Sequence, residues 1–194
     1  MLRRVVKRPA KSTRTAPISI RGQYERHGSA AYYRRQGSTY HNPHEPVVRE
    51  GVLRSLRMWS PGLSHVLDLA AGSGEATLVL REAGASRIDG IDPYTHAAYL
   101  ARTGQAAEQM TFEQIAAGGL VGRSYSLIVC SFALHLCEIS RLPGVCSQLA
   151  AVAAALLVLT PHKRPVIEPA WGWSLQGEQV WQRVRCRFYL SRFV

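Results

Sequence analysis

Apolar residues along this chain alternate between short unbroken runs and helically spaced stripes, with glycine and proline between them. Val47, Val48, Val52, Leu56 and Trp59 recur at helical spacing ahead of Ser60-Pro61-Gly62. Asn42 as N-cap, Pro43 at the first helical position and Glu45 at the capping-box position predict where that helix starts. Val66 to Leu69 reads as a buried strand, followed by a helix from about Glu75 to Glu82 that ends near Gly84. Next come a strand over "RIDGID" to Asp92, a helix from Pro93 to near Gly104, and a strand at "MTFEQI". A strongly apolar strand "YSLIVCSF", a helix from about Ser140 to Ala153 and a strand "ALLVLT" closed by Pro161 complete the series. This rhythm predicts an α/β fold with a doubly wound, mostly parallel sheet. The tail "VWQRVRCRFYLSRF" alternates apolar and basic residues and predicts an antiparallel edge strand.

A chain of 194 residues that is 46% hydrophobic suits one well-buried domain. The formal charge of +11 is unevenly spread. Residues 1–35 hold ten Lys/Arg against Glu25 alone, residues 36–160 hold eight against ten acids, and residues 161–194 hold six against two. The sequence therefore divides into a basic arm, residues 1–37, and a domain over residues 38–194. Three uses fit the arm: anchoring RNA phosphates, serving as an organelle transit peptide, or forming a plain solvated tail. Cys130, Cys137, Cys146 and Cys186 show no C-x-x-C spacing, and most lie in apolar surroundings, as reduced thiols of an intracellular protein do. The longest apolar run, Leu149 to Leu159, is far short of the roughly 20 residues a membrane helix needs. A cytoplasmic or mitochondrial-matrix location, no membrane partner and no metal are expected.

The chemistry concentrates at "VLDLAAGSGE", residues 66–75. A glycine turn between a first strand and its helix is where a doubly wound fold holds a nucleotide-like ligand, because backbone and helix N-terminus approach it closely. A carboxylate at Asp68, at the lip of that turn, repels a pyrophosphate and suits a cation. Thr77 stands at the third dinucleotide position, where glycine or alanine is usual. S-adenosylmethionine carries an ammonium and a sulfonium and no phosphate, and so meets that charge requirement. Asp92 ends the second strand 18 residues after Gly74, placed to accept bonds from ribose hydroxyls or to cap the next helix.

"VLDLAAGSGE", "IDGIDPY", "MTFEQI" and "YSLIVCSFALHL" together resemble the successive motifs of class I S-adenosylmethionine-dependent methyltransferases, over roughly Val66 to Thr160. The resemblance implies a Rossmann-like methyltransferase fold whose last strand is antiparallel. It also implies that Asp68, Ala70, Gly72 and Gly74 line the methionine end of the cofactor, with Asp92 at the ribose. Phe112 or Glu113 is placed at the adenine, and Ser131 and Phe132 beneath the sulfonium. Two departures stand out: Ala70 replaces the usual first glycine, and Ser126 stands where many relatives carry an aspartate.

For the methyl acceptor the signal is thinner. His135, after the fourth strand, and His162, after the fifth, are candidate bases, with Lys163 and Arg164 beside His162. Tyr40, Asn42 and Trp171 complete the expected acceptor wall, which favours a small, flat or anionic acceptor over a long protein chain; a stacked RNA base fits the same groups, and the near-neutral central body favours a small molecule over RNA. His41 and His44 read as the approach to a helix, not as metal ligands. A methyltransferase-like RNA- or ribosome-associated assembly factor is the alternative class, and a nucleotide-dependent oxidoreductase is disfavoured by Asp68.

Overall fold

The computed structural model describes residues 29–194; the expectations for residues 1–28, most of the basic arm, lie outside the described residues. Helix α1 (Ser29–Gln36) leads through a 3-10 turn into α2 (Glu45–Trp59) and β1 (Val66–Leu69). Then follow α3 (Glu75–Glu82), β2 (Ile88–Ile91), α4 (His96–Thr103), β3 (Ala107–Glu108) and α5 (Phe112–Ala116). The chain continues through β4 (Leu127–Ser131), α6 (Leu142–Val152), β5 (Ala155–Thr160), β6 (Trp173–Trp181) and β7 (Val184–Ser191). The boundary drawn at residue 37 falls just after α1, a helix that packs onto the domain.

The seven strands lie in the order β3-β2-β1-β4-β5-β7-β6. The first five are parallel, while β7 runs antiparallel to β5 and β6 antiparallel to β7. Strand alternation divides the core into two layers. Leu67, Leu69, Ile128, Cys130, Leu156 and Val158 pack on the side of α6. Val66, Leu127, Val129, Leu157 and Leu159 pack against Val48 and Val52 of α2 and Val79 and Leu80 of α3. Strands covered on both faces read as continuous apolar runs, which is why these segments were legible. All four cysteines are buried and unpaired, and burial pushes their thiols up, Cys137 to about 11 and Cys146 to about 12.

Three local expectations need correction. Helix α2 starts at Glu45 with His44 at the N-cap, so Asn42 does not cap it. The Asn42 side chain instead accepts from the His44 N–H at 2.9 Å, an Asx turn that ends one step before the helix, and Glu45 reaches away to Arg102. The segment "MTFEQI" is not a strand. Thr111 caps α5, accepting from the Gln114 N–H at 3.3 Å while Gln114 accepts from the Thr111 N–H at 2.9 Å, a complete capping box. The tail is not one edge strand: it spans the end of β6, a two-residue turn and β7, and β7 is interior.

Ser126 joins the start of β4 to the start of β1. Its hydroxyl donates to the His65 carbonyl at 2.9 Å and accepts from the His65 N–H at 3.1 Å. A neutral side chain thus performs the strand-anchoring task. Among the described residues no helix is long and apolar enough to cross a membrane.

The β6–β7 turn consists of Gln182 and Arg183 at φ values of 44° and 66°. Both lie in the left-handed region that hairpin turns require and that costs an L residue roughly 1 kcal/mol or more. Replacing the pair by Asn-Gly is expected to raise stability by about 1 kcal/mol, seen in urea denaturation as a higher midpoint at unchanged slope. An unchanged midpoint would show that the turn carries no such strain.

Candidate active site

At the carboxyl ends of β1, β2 and β4 lies a cavity of ≈ 300 Å³, the position where open α/β sheets bind ligands. Its floor is the turn Ala70-Ala71-Gly72. Gly72 adopts φ +58°, and a Cβ there would stand 3.2 Å from both the Glu75 carboxylate and the Tyr40 ring, so glycine keeps the floor open. Ala70 holds φ 55° in the place of the family's glycine. The turn is tied down from the next strand: the Gly72 N–H donates to Asp92 Oδ2 at 3.1 Å, and the Thr95 hydroxyl donates to the Gly72 carbonyl at 2.6 Å.

Asp92 also accepts from the Tyr94 and Thr95 N–H groups at 2.8 and 2.9 Å, all through Oδ1. It therefore organises the turn after β2 and still presents acceptor capacity on Oδ2 toward the cavity it lines. The capping expectation is corrected: α4 starts at His96 with Thr95 at its N-cap, and Asp92 closes the turn that precedes it. Ala70 and Gly72 line the cavity with Asp92, and so do Phe112, Glu113, Ser131 and Phe132.

Asp68 and Gly74 do not line it. Alternation along β1 turns Asp68 onto the face opposite Leu67 and Leu69, beneath α3, where it is fully buried. Its Oδ2 accepts from the N–H and the hydroxyl of Thr77 at 2.9 and 2.7 Å, and the Thr77 hydroxyl also meets the Tyr99 hydroxyl at 2.9 Å. Asp68 thus fixes the N-terminal turn of α3 from below, and the direct contact with the cofactor's methionine end expected of it is corrected. Burial pushes its carboxyl up to about 7, only partly offset by the Thr77 bonds. Gly74 is the N-cap of α3, behind the cavity floor.

Of the expected acceptor wall, Tyr40 and Asn42 line the cavity, while His135, His162, Lys163, Arg164 and Trp171 do not. The adjacency of β4 and β5 does bring His135 and His162 together, with ring centroids 4.5 Å apart. His135 sits in a 3-10 turn whose neighbours Ala133 and Leu136 face the cavity. Successive side chains in such a turn diverge by about 120°, which takes the imidazole off that wall. Burial lowers His135 to about 4, so it is neutral at physiological pH. Lys163 and Arg164 are exposed. Trp171 packs against the apolar layer beneath α6, which explains why it is not a cavity wall.

Glu75, Tyr94, Cys137 and Glu138 also line the cavity, none of them singled out for the site in the sequence. Glu75 lines the cavity although only 3% exposed. Its Oε1 accepts from the Asn42 N–H at 3.2 Å, from Arg102 at 3.2 Å and from the Ser73 hydroxyl. It follows the glycine turn directly, a position the motif search passed over. Tyr33 and Tyr94, both in the lining, stack nearly parallel at 6.4 Å. Gly37 allows that approach, since a Cβ there would collide with the Tyr94 carbonyl at 2.1 Å. Cys137 completes the rim. His44 stacks on Phe132 at 5.3 Å, and His41 pairs with Glu45.

A glycine turn after β1, a carboxylate after β2 and the strand order 3-2-1-4-5-7-6 define a Rossmann-like methyltransferase domain. A family described as "Methyltransferase domain" matches residues 66–155. An uncharacterized protein of Schizosaccharomyces pombe (strain 972) is 34% identical over 241 aligned residues, covering 95% of this chain and 97% of that protein. Among solved structures, the magnesium protoporphyrin IX methyltransferase of Synechocystis PCC 6803 with bound SAM superposes with a TM-score of 0.57 at 17% identity. That match covers 93% of this chain and 100% of that one. A putative methyltransferase of Escherichia coli superposes with a TM-score of 0.56 at 19% identity, covering 77% and 87%. Residues 66–155 are thus a methyltransferase domain, in a fold of the class I S-adenosylmethionine-dependent type.

Asp68 supplies a pH test. Because its folded-state value lies above the ordinary 3.8, the protonated form favours folding. Its contribution is full below about pH 4 and is lost as pH rises through about 7. Asp68→Asn removes that loss, so between pH 5 and 8 the variant should lose about 3 kcal/mol less stability than the parent, two units from pH 5 to 7 at ~1.4 kcal/mol per unit. Parallel pH profiles of the two proteins in chemical denaturation would contradict the assignment.

Proposed function

We propose that this protein binds S-adenosylmethionine in the cavity and transfers its methyl group to a small-molecule acceptor. The observation that carries the reading is the charge of the cavity. Glu75, Asp92, Glu113 and Glu138 line it, and no Lys, Arg or His does among the described residues. Such a site repels a pyrophosphate and attracts a ligand with an ammonium and a sulfonium, which separates a methyltransferase from a dinucleotide-dependent oxidoreductase.

When bound, S-adenosylmethionine supplies an activated methyl group that an acceptor nucleophile displaces in line, leaving S-adenosylhomocysteine. The protein's part is to position and to exclude water. Asp92 offers Oδ2 to a ribose diol. Met110, Phe112 and Ile115 provide an apolar wall for a flat base, and Tyr33, Tyr40 and Tyr94 stand over the opening with α1. Ser131 and Phe132, at the tip of β4, border the region where the acceptor meets the methyl group. No histidine lines the cavity among the described residues, so a proton acceptor for the incoming nucleophile would be one of its carboxylates.

The same rim supports a small acceptor over RNA, because Glu113 and Glu138, half or more exposed at the mouth, share the single cation Arg141 and keep a net negative charge that disfavours a phosphate chain. The RNA-associated alternative rests on the charge of residues 1–35. If the arm anchors RNA, deleting it should weaken RNA association and flatten its salt dependence without changing cofactor affinity.

Calorimetry should show micromolar binding of S-adenosylmethionine and S-adenosylhomocysteine and none of NAD. Asp92→Ala should weaken the former at least tenfold, the scale of lost bonds to a charged acceptor. Binding of NAD in preference to S-adenosylmethionine would overturn the reading.

A further inference from the structure

We infer that Glu75, and not Asp68, is the carboxylate that receives the ammonium of the cofactor's amino-acid end. The inference rests on the S-adenosylmethionine reading above and adds to it a specificity-determining residue.

Three observations lead there. The first is the asymmetry of the Glu75 carboxylate. Every hydrogen bond it makes, from Asn42, Ser73 and Arg102, falls on Oε1. Oε2 takes none and stands 3.2 Å from where a Cβ on Gly72 would be, on the cavity floor, in a residue that is 97% buried by virtue of its 3% exposure. A carboxylate oxygen so deeply placed and open only to the cavity is waiting for a donor.

The second is charge balance. Arg102 serves two carboxylates, Glu75 and Glu45. His41 pairs with the other Glu45 oxygen from a 65% exposed position, where solvent screens it. The cluster therefore retains negative charge, and Asp92, on the other side of Gly72, adds more. A ligand ammonium offsets this charge with no rearrangement.

The third is the exclusion of the rival. Asp68 Oδ1 is buried without a hydrogen-bond partner, yet it is sealed beneath α3 and does not face the cavity. A carboxyl that burial raises to about 7 is also a poor holder of a cation. Gly72 lies between Glu75 and Asp92, bonded to one and in contact distance of the other. A ligand whose diol meets Asp92 thus extends its amino-acid arm past Gly72 to Glu75.

The test compares ligands as well as variants. Glu75→Gln keeps an oxygen for Asn42 and removes the charge. By calorimetry it should weaken S-adenosylhomocysteine and S-adenosylmethionine alike, by about tenfold to a hundredfold. Binding of 5′-methylthioadenosine, which lacks the amino-acid arm, should stay within about twofold. On the parent protein, removing the amino group from S-adenosylhomocysteine should cost the same factor, a measurement that stands even if the variant fails to fold. Equal weakening of 5′-methylthioadenosine and S-adenosylhomocysteine would reduce Glu75 to a loop-holding residue and overturn the inference, as would weakening of S-adenosylmethionine alone, which marks a sulfonium contact. A parent protein that binds 5′-methylthioadenosine and S-adenosylhomocysteine equally leaves the cofactor cavity in place but removes the ammonium contact. Failure of the parent to bind any of these ligands would instead bring down the cofactor reading itself.

Discussion

The site depends on the fastening of one backbone turn. Gly72 is held from β2 by Asp92 and from α4 by Thr95, while Glu75 on the following helix stands against it. This junction joins β1, β2, α3 and α4 at the end of the sheet. Without it the loop after β1 would be free to sample many conformations, and the ordering cost would fall on ligand binding. Asp68 supports the same turn from the opposite face by anchoring Thr77. Three carboxylates therefore divide the labour: one braces from below, one ties from the side, and one faces the cavity.

That division explains why the cavity is acidic in a protein of net charge +11. Among the described residues, basic side chains lie outside the cavity lining, and several are committed to partners. Arg102 is committed to Glu45 and Glu75, Arg123 to Glu108, and Arg187 to Glu178 and the carbonyls of Lys163 and Pro165. The local field at the ligand is set by what lines the pocket, at distances of a few ångströms, and the exposed charges farther away are screened over about 10 Å. Overall charge speaks to association with other molecules, and pocket charge to the ligand.

The elements most legible in the sequence were those whose surroundings are uniform. β1, β4 and β5 are covered on both faces, so their apolar runs needed no knowledge of neighbours. Helix α3 was bounded by a glycine at each end. Errors came where a local alternative competed. Asn42 makes an Asx turn instead of a helix cap, and Thr111 with Gln114 forms a capping box that its T-x-x-Q pattern had displayed within an apparent strand. The hairpin between β6 and β7 was hidden because Gln182 and Arg183 take left-handed conformations without the glycine or asparagine that normally betrays them.

The sequence by itself determined the doubly wound class, the glycine turn and the carboxylate after β2, whereas the charge it assigned to the lip of the turn through Asp68 is carried in the structure by Glu75 and Asp92. Class, turn and carboxylate follow from residue type and spacing along a strand and its helix, which are local matters. Only the tertiary structure decided which of the two carboxylates at the turn faces the cavity. Asp68 and Glu75 are seven residues apart, and strand alternation buries the first beneath α3 while the first turn of that helix carries the second to the cavity. It likewise decided that His135 and His162 meet each other rather than the cavity, because their relation depends on the packing of two strand ends that no spacing records.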